Sequence, residues 1–279
     1  MFHIENMSTE DFEFAVRITD TMNWKMVNED FEFMMRLEPE GCFVLFSNSE
    51  RIGIATTISF GEIGWFGNLI VTESYRKKGA GSLLVKHAIK YLKSKNIETI
   101  GLYAYIDRIP FYRKLGFRYD SEFTVLKGKG FSSPAEANVR EPRKKEIQKI
   151  IEFDHSCFGA SRKKLLEPIL LDPDTLCYVS IEDECILGYA AAKVYKRVAE
   201  LGPLICKQGR RDIALALLKT LLNILEGFEV SMCIQKKEFE ILDVLIKSGF
   251  RENFRVARMF SGPFMAKNCI YAAESLERG

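Results

Sequence analysis

Asn68-Leu-Ile-Val-Thr-Glu-Ser-Tyr-Arg-Lys-Lys-Gly-Ala-Gly-Ser-Leu-Leu84 is the stretch on which the reading of this chain turns. Leu69-Ile70-Val71 is an apolar, β-branched run, the composition of a buried strand. Ser82-Leu83-Leu84-Val85 starts a helix with apolar residues at helical spacing. Between them lies a basic loop with two glycines, Arg76-Lys77-Lys78-Gly79-Ala80-Gly81. A loop at a helix N-terminus offers free backbone N–H groups and the positive end of the helix dipole. Small residues at Gly79, Ala80 and Gly81 let that backbone approach a ligand, and three cations stand beside it. The combination predicts a phosphate-bearing ligand over Arg76–Ser82. A Walker loop is excluded, because Gly81 is followed by Ser82-Leu83 and not by Lys-Ser/Thr. A dinucleotide fingerprint is excluded too, because Leu84 stands where the third glycine belongs. Taken alone, the loop also fits a glycine-containing turn with solvated lysines.

At 279 residues and 47% hydrophobic, the chain has room for two packed domains. Forty basic against 38 acidic side chains leave a formal charge of +2, so no global field draws nucleic acid or membrane. No apolar run approaches the ~20 residues that span a bilayer, and no signal peptide opens the sequence. Seven cysteines without C-x-x-C spacing read as reduced core residues, and three scattered histidines support no metal site. The expectation is a cytoplasmic protein without nucleic-acid, membrane or metal partners, monomeric or homodimeric.

Upstream of the decisive stretch, Phe2-His3-Ile4 reads as a strand, and Ser8 and Asn28 start two helices, the second ending before Pro39. Residues 42–46 and 51–59 read as a hairpin. Downstream come a helix over 82–94, a strand over 97–104 and a short helix before Gly116. Residues 127–142, rich in Gly, Ser and Pro, read as a connector. After it the pattern restarts. Asp172-Pro173 stands 134 residues after Glu38-Pro39, Cys177-Tyr178-Val179 stands 135 after Cys42-Phe43-Val44, and Gly249-Phe250 stands 133 after Gly116-Phe117. One domain has been duplicated. In the second copy the loop reads Arg210-Arg-Asp-Ile-Ala-Leu215, without glycines, and Leu245 stands where the first has Tyr112. That copy is expected to fold like the first and to have lost its site.

Arg76-x-x-Gly79-x-Gly81 after an apolar strand resembles the acetyl-CoA signature of the GNAT (Gcn5-related) acyltransferases. Phe111-Tyr112-Arg113-Lys114-Leu115-Gly116-Phe117 resembles that family's second hallmark, Tyr-x-x-x-Gly-Phe, with a helix and a strand between the two as in the family. Asn23-Trp24, the run Leu102–Tyr112, Gly202-Pro203 and Arg258-Met259 look like a narrower, two-domain prokaryotic group with a degenerate C-terminal domain. The resemblance implies an α+β fold of tandem GNAT units, each a mostly antiparallel central sheet flanked by helices. Expected boundaries are a catalytic domain at 1–128, a linker at 129–135, a degenerate domain at 136–265 and a tail at 266–279.

The implied activity is acetyl transfer from acetyl-CoA to a primary amine, on a small molecule or a protein lysine, by direct attack in a ternary complex. A non-catalytic acyl-CoA sensor or scaffold is the alternative. In this reading Ile70 and Val71 polarise the thioester carbonyl through backbone N–H groups. Arg76, Lys77, Lys78, Gly79, Ala80, Gly81, Ser82, Phe111 and Tyr112 hold the cofactor. Tyr112 is the acid beside the sulfur, or else a ring packed under the cofactor. Glu62 is the candidate base, though a solvated loop carboxylate fits equally and many members of the family deprotonate through water chains. Trp24 is the candidate acceptor-side residue. Many GNAT sequences carry asparagine seven residues before the tyrosine; here that residue is Tyr105, which puts one cofactor contact in doubt. Arg162-Lys163-Lys164 reads as a solvated helix face.

Overall fold

The computed structural model describes residues 1–134, 138–263 and 269–279, with only the backbone of 270 and 271. The expected boundaries at 135/136 and at 265/266 lie outside the described residues. The first half runs β1 (Phe2–Asn6), α1 (Phe12–Asp20), α2 (Asn28–Leu37), β2 (Cys42–Ser47), β3 (Glu50–Ser59), β4 (Ile63–Val71), α3 (Ala80–Ser94), β5 (Thr99–Tyr105), α4 (Ile109–Arg113) and β6 (Arg118–Lys129). The second runs α5 (Ile147–Phe158), α6 (Lys163–Leu170), β7 (Thr175–Glu182), β8 (Cys185–Tyr195), β9 (Val198–Cys206), α7 (Arg211–Ile224), β10 (Glu229–Gln235), α8 (Phe239–Lys247) and β11 (Arg251–Ser261), followed by β12 (Ile270–Ala272).

Local chemistry places the first helices. Asp11 accepts the Ser8 N–H at 2.7 Å and Asp30 accepts the Val27 N–H at 2.9 Å, satisfying donors that helix starts leave orphaned. Apolar residues then form one face of each helix, and that face packs on the sheet.

Among the described residues, twelve strands share one mostly antiparallel sheet, in the order β1-β2-β3-β4-β5-β11-β6-β10-β12-β9-β8-β7. The resemblance implied a mostly antiparallel central sheet in each unit; here the two sheets are continuous, because the halves exchange their last long strands. β11 lies between β5 and β6, and β6 lies between β11 and β10. The exchange is nearly symmetric: Lys127 pairs with Arg251, and at the other end Arg118 pairs with Phe260. Alternating apolar residues mark a strand and its buried face, but leave its partner to tertiary packing.

One face of the first half packs α3 and α4 through Leu84, Val85, Ala88, Tyr112 and Phe117. The opposite face packs α1 and α2 around Phe31, Met34 and Trp65, and Phe158, Ala160, Leu165 and Ile169 of the second half join the same cluster. Across this junction Glu38 binds Lys164 at 2.6 Å. Arg162 is not solvated as the sequence suggested: it is buried, with Nε and Nη2 on Asp154 at 3.0 and 2.6 Å. A buried guanidinium needs such a two-point partner to offset its lost hydration.

Candidate active site

Two features of β4 open the sheet. It pairs with the parallel β5 only from Ile63 opposite Thr99 to Trp65 opposite Gly101, after which the strands part. Beyond that point β4 also bulges: Thr56 of β3 pairs with Gly67 and Ile54 with Ile70, so the bulged strand has one extra residue. Asn68 takes up the bulge with φ 50°, and its Nδ2 has no partner among the described residues.

The open end of β4 leads to the glycine loop. α3 starts at Ala80, two residues earlier than its apolar pattern indicated, so Ala80, Gly81 and Ser82 are its first turn. Gly79, at φ +87°, makes the turn into the helix, a conformation that suits glycine. The first helical bond runs from the Leu83 N–H to the Gly79 carbonyl at 3.0 Å, and among the described residues the N–H groups of Ala80, Gly81 and Ser82 have no acceptor. A Cβ on Gly79 would meet nothing within 4 Å, and one on Gly81 would stand 3.6 Å from the Phe111 ring. The cradle is open, as a pyrophosphate requires. Arg76 is partly committed, its Nε donating to the Val71 carbonyl at 2.9 Å, and the Lys78 ammonium stands over the Tyr75 ring at 5.4 Å.

Tyr112 stands on the α3 side of the gap, packed edge-on between Phe111 at 5.0 Å and Phe117 at 5.8 Å. Burial raises its phenol above the ordinary value of 10, with Arg108 opposing, so the group stays protonated. Its hydroxyl has no partner among the described residues. On the other side, Trp24 Nε1 donates to the Tyr105 hydroxyl at 2.9 Å, tying the α1–α2 loop to the end of β5 where the family's asparagine is missing. Trp65 and Phe66 are core. Glu62 is exposed in the turn before β4, at the paired end of β4 and β5. Tyr112 follows the far end of β5, roughly 20 Å along the strand, so the two are not brought together.

A profile of the Acetyltransferase (GNAT) family matches residues 3–117, and one of the Acetyltransferase (GNAT) domain matches residues 150–272. The chain belongs to the GNAT acetyltransferases. It carries two GNAT-like domains, and its chemistry is acyl transfer. Among curated relatives, the holothin acyltransferase of a Pseudoalteromonas strain is 24% identical over 98% of this chain and 92% of its own length. Among solved structures, a Pyrococcus horikoshii protein assigned as an acetyltransferase superposes with a TM-score of 0.80 at 20% identity, covering 100% of this chain and 96% of its own. A tandem GNAT protein from the clavulanic acid biosynthesis pathway superposes with a TM-score of 0.65 at 13% identity, covering 95% and 100%.

The second GNAT domain keeps the splay and the bulge but not the opening. β9 and β10 pair in parallel from Val198 opposite Glu229 to Leu201 opposite Met232, and β12 then enters between them. Leu204 and Ile205 of β9 and Ile234 of β10 pair with this inserted strand. At the bulge, Pro203 has no N–H where Leu69 of the first domain has one. Ile213 is buried in the first turn of α7, Leu245 is core, and Arg210 is neutralised by Asp212 at 2.9 Å and Glu182 at 3.2 Å. The strand that fills the gap lies beyond the repeat, so comparing the two copies in sequence could not reveal it.

Proposed function

We propose that the first GNAT domain transfers an acetyl group from acetyl-CoA to a primary amine by direct attack in a ternary complex. The observation that carries this reading is the contrast between the two splays. The one between β4 and β5 is open and leads to unpaired N–H groups at the start of α3, whereas the one between β9 and β10 is filled by β12. In this reading the N–H groups of Ala80, Gly81 and Ser82, with Lys77 and Lys78, hold the pyrophosphate against the helix dipole. Backbone N–H groups of the bulged strand near Ile70 and Val71 polarise the carbonyl. The Tyr112 hydroxyl donates to the departing thiolate, and Trp24 lines the acceptor side. An ammonium and a thioester yield an amide, a thiol and one proton, so the site needs both a proton acceptor and a donor. The catalytic unit is residues 1–128 completed by β11.

The acceptor class is an amine on a small molecule or a protein lysine. Thiol release from acetyl-CoA, measured with a panel of primary amines, tests the proposal. Turnover with at least one amine above the hydrolysis rate is expected. Tight acetyl-CoA binding without transfer to any amine would favour a sensor.

A further inference from the structure

The sequence left the proton acceptor unassigned in space, and Glu62 stands at the closed end of the cleft. Another carboxylate reaches the open end from far along the chain. After β12, the Ala273 N–H bonds to the Cys233 carbonyl on β10 at 2.9 Å, and Leu276 packs in a cluster with Phe123, Tyr103, Tyr105 and Phe254. The segment thereby crosses the exchanged strands on the face opposite Tyr112 and reaches β4 at Gly67. A Cβ on Gly67 would stand 2.5 Å from the Glu277 carbonyl oxygen and 2.9 Å from the Glu277 Cβ. A glycine inside a strand marks such an approach of another backbone, and the approach here is beside the bulge at Asn68.

We propose that Glu277 is the catalytic carboxylate of the first GNAT domain, receiving the acceptor's ammonium and taking its proton. The inference rests on the acyl-transfer reading above. Three bonds separate the carboxylate oxygens from the Glu277 Cβ, a reach of no more than about one strand spacing, ~4.8 Å, from the bulge. One oxygen is held by Arg278 Nη1 at 2.8 Å; the other has no partner among the described residues, and the side chain keeps 22% of its surface open. Thr56, paired with Gly67 on β3, contributes a buried hydroxyl that also lacks a partner among the described residues. The segment is rigidly held. Trp65 Nε1 donates to the Leu276 carbonyl at 3.3 Å, Arg162 donates to the Gly279 carbonyl, and Glu274 is clamped by Lys193 at 2.8 Å and Arg278 at 3.0 Å.

The two faces of the gap then divide the chemistry. On the Glu277 side the ammonium gives one proton to the carboxylate and its lone pair forms the C–N bond. On the Tyr112 side the C–S bond breaks, its electron pair stays on sulfur, and the hydroxyl supplies the proton. The amine's second proton leaves to solvent as the amide forms, solvent restores Tyr112, and Glu277 passes its proton to solvent, the one proton released per turnover. Burial, with Glu200 of β9 and Glu274 adding to it, raises the Glu277 carboxyl above the ordinary carboxylate value, against Arg278 of its own segment and Lys193 of β8. Gly67 and Trp65 of β4 add no charge, and Arg162, which donates to the Gly279 carbonyl, also faces the Glu274 carboxylate of the segment. A raised carboxyl is the better base for an ammonium.

The test compares two acceptors in the full chain. One is an aliphatic amine, the fastest of 1,4-diaminobutane, lysine, glucosamine and a blocked lysine peptide. The other is O-methylhydroxylamine, already neutral at pH 7. Glu277→Gln is expected to lower kcat/KM for the aliphatic amine by about 10²–10³-fold, to spare O-methylhydroxylamine within a few-fold, and to leave acetyl-CoA affinity unchanged. Equal losses for both acceptors would mean the side chain only holds the segment in place, and unchanged rates would mean it has no role; either overturns the proposal. If Glu277→Gln does not fold, Glu277→Asp keeps the charge opposite Arg278 and must still show a selective loss. Wild-type protein that acetylates none of these amines would refute the acyl-transfer reading itself, an outcome distinct from failure of Glu277 alone.

Discussion

Replacing Tyr112 by phenylalanine separates the hydroxyl from the ring. The ring makes the packing contacts, edge-on to Phe111 and Phe117, and phenylalanine keeps them. No protein group depends on the hydroxyl, since it has no hydrogen-bond partner among the described residues. Its loss therefore leaves no orphaned donor or acceptor, and stability should change by less than about 1 kcal/mol. The rate should not be spared. A positioned general acid contributes roughly 10²–10⁴-fold, or about 3–5 kcal/mol of barrier. Because the bond to sulfur strengthens only as charge develops there, the loss should fall on kcat, with acetyl-CoA affinity nearly unchanged. The raised phenol adds a second expectation, that the hydroxyl produces no basic limb below about pH 10 in the wild-type profile. Single-turnover acetyl transfer is the assay, because slow product release would hide a chemical defect. A Tyr112→Phe protein that melts like wild type and transfers within twofold of its rate would refute the acid role and leave Tyr112 as packing.

Three further outcomes follow from the geometry. Gly81→Val should weaken acetyl-CoA binding at least about tenfold by calorimetry, because its Cβ fits against Phe111 but its methyls occupy the cradle above the free N–H groups. Titration of the full chain with acetyl-CoA should give one site, with β12 closing the second splay; two equivalent sites would contradict that closure. Glu38 ties the halves together: burial raises its carboxyl, but bonds from Lys164, Tyr91 and the Ser59 N–H outweigh burial and hold it at about 2 against an ordinary 4.5. That depression is worth about 3 kcal/mol of stability, fully present above pH 4.5 and lost as pH falls toward 2, so Glu38→Gln should flatten the acid decline in Tm over that range.

Local information was enough for the family, for the duplication and for the glycine turn that opens α3. Helix starts such as Ser8 with Asp11, the spacing of Gly79 and Gly81, and the register of Tyr112 to Gly116 are all contained within a few residues, where backbone sterics and hydrogen bonding act. The chemical divergence of the second copy was equally legible, as Ile213 and Leu215 replacing small residues. Other features depended on which distant segments share a surface. Residues 118–129 and 251–261 form the last long strand of each half, but which sheet each completes is a matter of packing, and each completes the other half's. Glu62 was singled out by its position along the chain, and strand length places it at the paired end of β4 and β5, away from Tyr112. Glu277 had no motif at all. Gly67 is one of two glycines in β4, and nothing local tells it from Gly64, because the backbone it makes room for lies 210 residues away and meets it only after the sheet has formed.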